Sequence, residues 1–143
     1  MSIKQRVQRL AMSGFVLFGL VGASIAMPAT ANASATWCTY TKTIGTAPLG
    51  QYCFSVNGSG LYVNNTIGSW NGPWVDYPRE KVTFYDTYGN AYATYYTYSG
   101  TGRTYGYRAW YSGIHGTART GHVCGEFMSY GTTIGTVCLN IHS

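Results

Sequence analysis

Two cysteine pairs, Cys38 with Cys53 and Cys124 with Cys138, each lie about 15 residues apart with glycine between them, and this spacing constrains the fold more than any other feature of the chain. Four cysteines allow three connectivities, but strand register discriminates among them. If Cys124 faces Cys138 across a hairpin centred on Gly131, then Val123 faces Leu139, Gly125 faces Val137 and Phe127 faces Gly135, with Ile141 continuing that side. One face is then apolar, and the other carries His122, Cys124, Glu126, Thr136, Cys138 and Asn140. A one-residue slip would send a strand's whole apolar set to the opposite face. The same test on Cys38 and Cys53 sets Trp37 against Phe54 and Thr39 against Tyr52, around a turn at Gly45 and Thr46. Closing such a loop stabilises by roughly 3 kcal/mol in the chain-entropy account. No cysteine pair has the C-x-x-C spacing of a zinc or redox site, so the reading is two hairpin disulfides and no metal.

Disulfides agree with the N-terminus. Lys4, Arg6 and Arg9 precede an apolar run from Phe15 to Met27, followed by small residues ending Ala31-Asn32-Ala33. This is the pattern of a secretory signal peptide over residues 1–33, which leaves 34–143 as one secreted, extracellular domain. About 13 apolar residues are too few to span a bilayer, so no membrane span is expected after cleavage. Cleavage also removes three of the nine basic residues, and the net charge falls from +5 to +2. A nucleic-acid partner is therefore not expected.

Tyrosine, threonine and glycine dominate the mature part, and no window places apolar residues at helical spacing. The chain reads as all-β, with strands near 36–43, 49–56, 60–66, 80–86, 91–98, 103–112, 120–128 and 134–142. Asn57-Gly58, Tyr88-Gly89-Asn90 and Tyr130-Gly131-Thr132 read as hairpin turns, and Ser99-Gly100-Thr101-Gly102 as a further turn. Seven or eight short strands at this spacing predict an antiparallel β-sandwich. The stretch 68–79 holds two prolines and two tryptophans without alternation and reads as a loop.

Candidate chemistry is sparse. His122, Cys124 and Glu126 share a strand face and resemble a metal or nucleophile row, but a disulfide at Cys124 withdraws the thiolate. His122, Glu126, Arg119, Arg108 and His115 are the parts from which a small ribonuclease is assembled, yet no helix pattern accompanies them. Trp70, Trp74 and Tyr77 on the predicted loop, with Asn71 and Asp76 as polar partners, read as a stacking platform for sugar rings. His122, Glu126, Thr136 and Asn140 form a second, polar contact patch.

The run from Cys53 to Val63, Cys-Phe-Ser-Val-Asn-Gly-Ser-Gly-Leu-Tyr-Val, and the ending Val137-Cys138-Leu139-Asn140-Ile141-His142-Ser143 resemble small secreted four-cysteine β proteins of filamentous Gram-positive bacteria. The resemblance implies export and disulfides and carries no catalytic residue. The expected function is that of a monomeric, cofactor-free binding module acting on a cell-wall or extracellular glycan or a protein surface. A bacteriocin-like antibacterial protein and the ribonuclease are the alternatives.

Overall fold

The computed structural model describes residues 34–42 and 49–143, and among these it forms nine strands and no helix. The predicted signal segment and the turn at Gly45 and Thr46 lie outside the described residues. The strands are β1 (Ala35–Tyr40), β2 (Gln51–Ser59), β3 (Tyr62–Asp76), β4 (Pro78–Asp86), β5 (Ala91–Ser99), β6 (Arg103–Tyr111), β7 (Gly116–Thr117), β8 (Gly121–Ser129) and β9 (Thr132–Ile141). They make two antiparallel sheets. A front sheet runs β1-β2-β3-β6, with β7 also paired to β3, and a back sheet runs β5-β4-β8-β9. The arrangement is sandwich-like, as the strand spacing predicts.

Both disulfides form, Cys38–Cys53 and Cys124–Cys138, in the registers derived from apolar sorting. Trp37 pairs Phe54 and Thr39 pairs Tyr52. Val123 pairs Leu139, Gly125 pairs Val137 and Phe127 pairs Gly135. Beyond Phe127 the register shifts by one, and Ile134 is the extra residue. The shift delivers a two-residue turn at Tyr130 and Gly131, whose φ values of 50° and 78° fit the twist of the flanking strands.

Three expectations are corrected. Residues 68–79 are not a loop: β3 continues through Trp70 and Trp74 to Asp76, pairing β2 up to Asn71 and β6 to its end. Gly72 and Pro73 hid this strand, and they are tolerated because the β3–β6 ladder is interrupted between Gly72 and Val75. Asn57-Gly58 lies inside β2, opposite a bulge at Asn64 in the β2–β3 hairpin, whose turn falls at Gly60 and Leu61. The third is β7, a short strand that the sequence pattern did not reveal.

A single residue, Tyr77, carries the chain from the front sheet to the back sheet. Its φ of 45° makes the corner, and its N–H donates to the Gly102 carbonyl at 2.6 Å. Between the sheets, alternation delivers Tyr52, Phe54, Val56 and Trp70 from the front, and Val82, Val123, Phe127 and Val137 from the back, all nearly or fully buried. Phe127 is the hub: Tyr52, Trp70 and Trp110 stack on it with ring centroids 5.3, 5.2 and 5.5 Å away. Such offset pairs add about 1 kcal/mol each beyond area burial. The two long margins of the sandwich differ. One is closed, where β1 packs against β9 and the Lys42 N–H donates to the Ile134 carbonyl at 2.7 Å. The other, between edge strands β5 and β6, is open.

Gly125 shows how tight the interior is. A Cβ there would run into the Tyr52 hydroxyl and the Phe54 ring. We expect Gly125→Ala to lower the unfolding free energy by about 3 kcal/mol, read from urea denaturation, since overpacking a filled core forces neighbouring side chains off their preferred geometry. Replacing Cys124 and Cys138 together by alanine is expected to cost about 2–5 kcal/mol in the same assay.

Candidate functional site

The most unusual group in the molecule is Glu80, an acid on the inward face of β4 with no exposed surface. Its Oε1 accepts from the Tyr52 hydroxyl at 2.5 Å, and its Oε2 accepts from Trp110 Nε1 at 2.7 Å and from the Thr97 hydroxyl. Tyr52 and Trp110 belong to the front sheet, and Glu80 and Thr97 to the back. Gly68 makes the approach possible, because a side chain there would meet Oε1 and the Trp110 indole. Burial raises the Glu80 pKa above its ordinary range, while the bonds from Thr97, Tyr52 and Trp110 pull it back. Burial and then the Glu80 charge push the Tyr52 hydroxyl well up. Glu80 itself is sealed from solvent, and the cluster ties the two sheets together, with Trp110 and the half-buried Thr97 reaching the margin between β5 and β6.

The polar patch predicted on the second hairpin is assembled as expected. His122 pairs Asn140 and Glu126 pairs Thr136, on either side of the Cys124–Cys138 bridge. The side chains are committed locally: His122 stacks on Tyr85 at 4.7 Å, and Glu126 accepts a 2.8 Å ion pair from Lys81 and a bond from Thr133. That hydrogen bond to Glu126 raises the Lys81 pKa. The ribonuclease parts are not brought together. Arg108 stands on the inner side of the front sheet, whereas His122 and Glu126 stand on the outer side of the back sheet. Among the described residues, no group of three or more His, Cys, Asp or Glu could hold a metal ion.

The predicted stacking platform is dispersed, because the segment is a strand and alternation divides it. Trp70 is in the core and is withdrawn as a surface residue. Asn71 faces outward on the front sheet. Trp74 lies 5.7 Å from the Arg103 guanidinium, which in turn binds Asp76 at 2.7 and 3.3 Å, and Tyr77 packs against Tyr130.

Sequence reasoning missed the outer face of the front sheet, which no single segment displays. Register joins four strands into rows: Tyr40, Gln51, Asn71 and Tyr107; Cys38, Cys53, Ser69 and Ala109; Thr36, Ser55, Ile67 and Tyr111. Asn57 and Asn65 continue the face, joined side chain to side chain at 2.8 Å. None of these residues is charged. Tyr40, Tyr107 and Tyr111 are 74, 69 and 71 % exposed. Three strand spacings make the face about 14 Å wide. Compared with protein-family models, with curated proteins and with solved structures, the chain matches none.

The Glu80 cluster has a pH signature. Its folded pKa lies above the unfolded one, so its contribution is fullest below the ordinary glutamate value of 4.5 and is lost as pH rises through the folded value. Glu80→Gln preserves the contacts, with its oxygen accepting from Trp110 and Thr97 and its amide donating to the Tyr52 oxygen. We expect it to fold and to remove the decline in stability across that window, followed by thermal unfolding at a series of pH values. Glu80→Ala strands three donors and is expected to cost about 4 kcal/mol.

Proposed function

We propose that the protein is a secreted, non-enzymatic binding module whose front face docks on an uncharged glycan of a cell envelope or extracellular matrix. The observation that supports this reading is the set of uncharged rows across the outer face of the front sheet, with tyrosines standing at their margins. Hydroxyl and amide groups exchange hydrogen bonds with a hydroxylated partner without the cost of stripping water from charges. Tyrosine adds broad, rigid rings with a polar tip, suited to the apolar faces of sugar rings. A face carried on four paired strands and pinned by the Cys38–Cys53 bridge is already ordered, so little entropy is lost on docking. Disulfides and the N-terminal signal pattern favour an extracellular setting.

The test is retention on insoluble neutral polysaccharides, namely cellulose, chitin and β-glucan. We expect retention on at least one of them that persists in high salt, because no ion pair is involved. Changing Tyr107 and Tyr111 together to alanine should weaken it by about tenfold or more, while Tyr96→Ala on the back sheet should not. Absence of retention on all three, or retention indifferent to both front tyrosines, counts against the reading.

A further inference from the structure

The open margin between β5 and β6 is a run of clefts. At one end lies a small cavity of about 80 Å³ lined by Phe84, Tyr92 and His115. A second cleft, sharing Tyr95 and Ile114 with the first, continues to Thr97 and Ser112. The third, of about 360 Å³, is walled by Tyr98, the Gly100–Gly102 turn, Thr104, Arg108 and Trp110. Together they follow the nine residues of β5, about 30 Å of strand.

Arg108 is out of place here by the logic of the sheet. It pairs Trp70 and shares the inner side of β6 with Trp110, where alternation otherwise delivers core residues. It is exposed only because the margin is open, and among the described residues it has no carboxylate within ion-pair distance. Glu80, beneath Trp110, already accepts three bonds. Arg103 at the cleft wall is neutralised by Asp76, so Arg108 supplies the cleft's unbalanced charge. At the opposite end Arg119 lies over Tyr92 at 4.8 Å. Between these cations the wall is tyrosine, threonine and serine.

We propose that this groove binds an acidic oligosaccharide, with the Arg108 guanidinium receiving a uronate carboxylate. The planar fork of arginine matches a carboxylate through two parallel bonds, while Tyr98, Tyr95 and Tyr92 line the path of the sugar rings. The cavity at Arg108 falls in the size range of small-ligand sites, about 300–1,000 Å³. The groove lies on the other side of the front sheet from the neutral face, so either site stands without the other.

The test is a backbone amide and indole NMR titration of the mature protein with tetragalacturonate, cellotetraose and poly(glycerol phosphate). We expect tetragalacturonate to shift the Gly100–Thr104 amides and the Trp110 indole signal, and cellotetraose not to. Arg108→Ala should weaken binding about tenfold or more, Arg108→Lys should fall between, and Tyr40→Ala should leave it unchanged. Unfolding midpoints of the Arg108 variants should match the parent, since the side chain is exposed. The proposal is overturned if cellotetraose shifts the same signals equally, if Arg108→Ala binds tetragalacturonate as the parent does, or if only poly(glycerol phosphate) moves them.

Discussion

A carboxylate sealed between two sheets must be surrounded by donors, because neither water nor a cation reaches it. Glu80 satisfies this with Tyr52 and Trp110 from the front sheet and Thr97 from the back. Those donors are available in only one relative placement of the sheets. Sliding one sheet by a strand spacing would strip the acid of its front partners and leave three buried polar groups unmatched. The aromatic stack on Phe127 follows from the same placement, since Tyr52 and Trp110 serve both. Apolar packing supplies most of the cohesion, and the polar cluster determines which of many possible packings is adopted.

The sequence was most informative where two strands had faces of unlike composition. Around Gly131, apolar and polar residues sort cleanly, so pairing, disulfide and outward patch could all be read in advance. It was least informative where glycine and proline interrupt a strand. Gly72 and Pro73 disguised the second half of β3, and the tryptophans beside them were read as a surface platform when Trp70 belongs to the core. Glu80 left a usable trace: in β4 it alternates with Pro78, Val82 and Phe84, which places an acid on the buried side. Arg108 left the same trace by sharing parity with Trp110. The front face had no trace in any one segment, because its rows draw one residue from each of four strands.

Charge is distributed with a consistent geography. The outer front face carries charge only where the Arg103–Asp76 pair closes the ends of β3 and β6. The outer back face carries the Lys81–Glu126 pair beside aromatic contacts, including Arg79 at 5.2 Å from the Tyr96 ring. Arg108 and Arg119 stand toward the open margin. The net charge of +2 carried by residues 34–143 thus becomes a local feature, since Asp76 and Glu126 are paired with Arg103 and Lys81 and Glu80 is sealed inside. The composition alone carries no hint of this separation.

Neither disulfide joins the two sheets. Each ties adjacent strands within one sheet, so covalent reinforcement acts along the hairpins, while the sheets are joined covalently only by backbone crossings such as Tyr77. Two kinds of stress therefore reach different parts of the molecule. A reducing environment loosens the β1–β2 and β8–β9 hairpins and leaves the interior contacts to hold the halves together, whereas agents that disturb the interior can part the sheets while those two hairpins stay closed. An opened molecule of the second kind retains one preformed strand pair from each sheet, on which the remaining strands can be rebuilt.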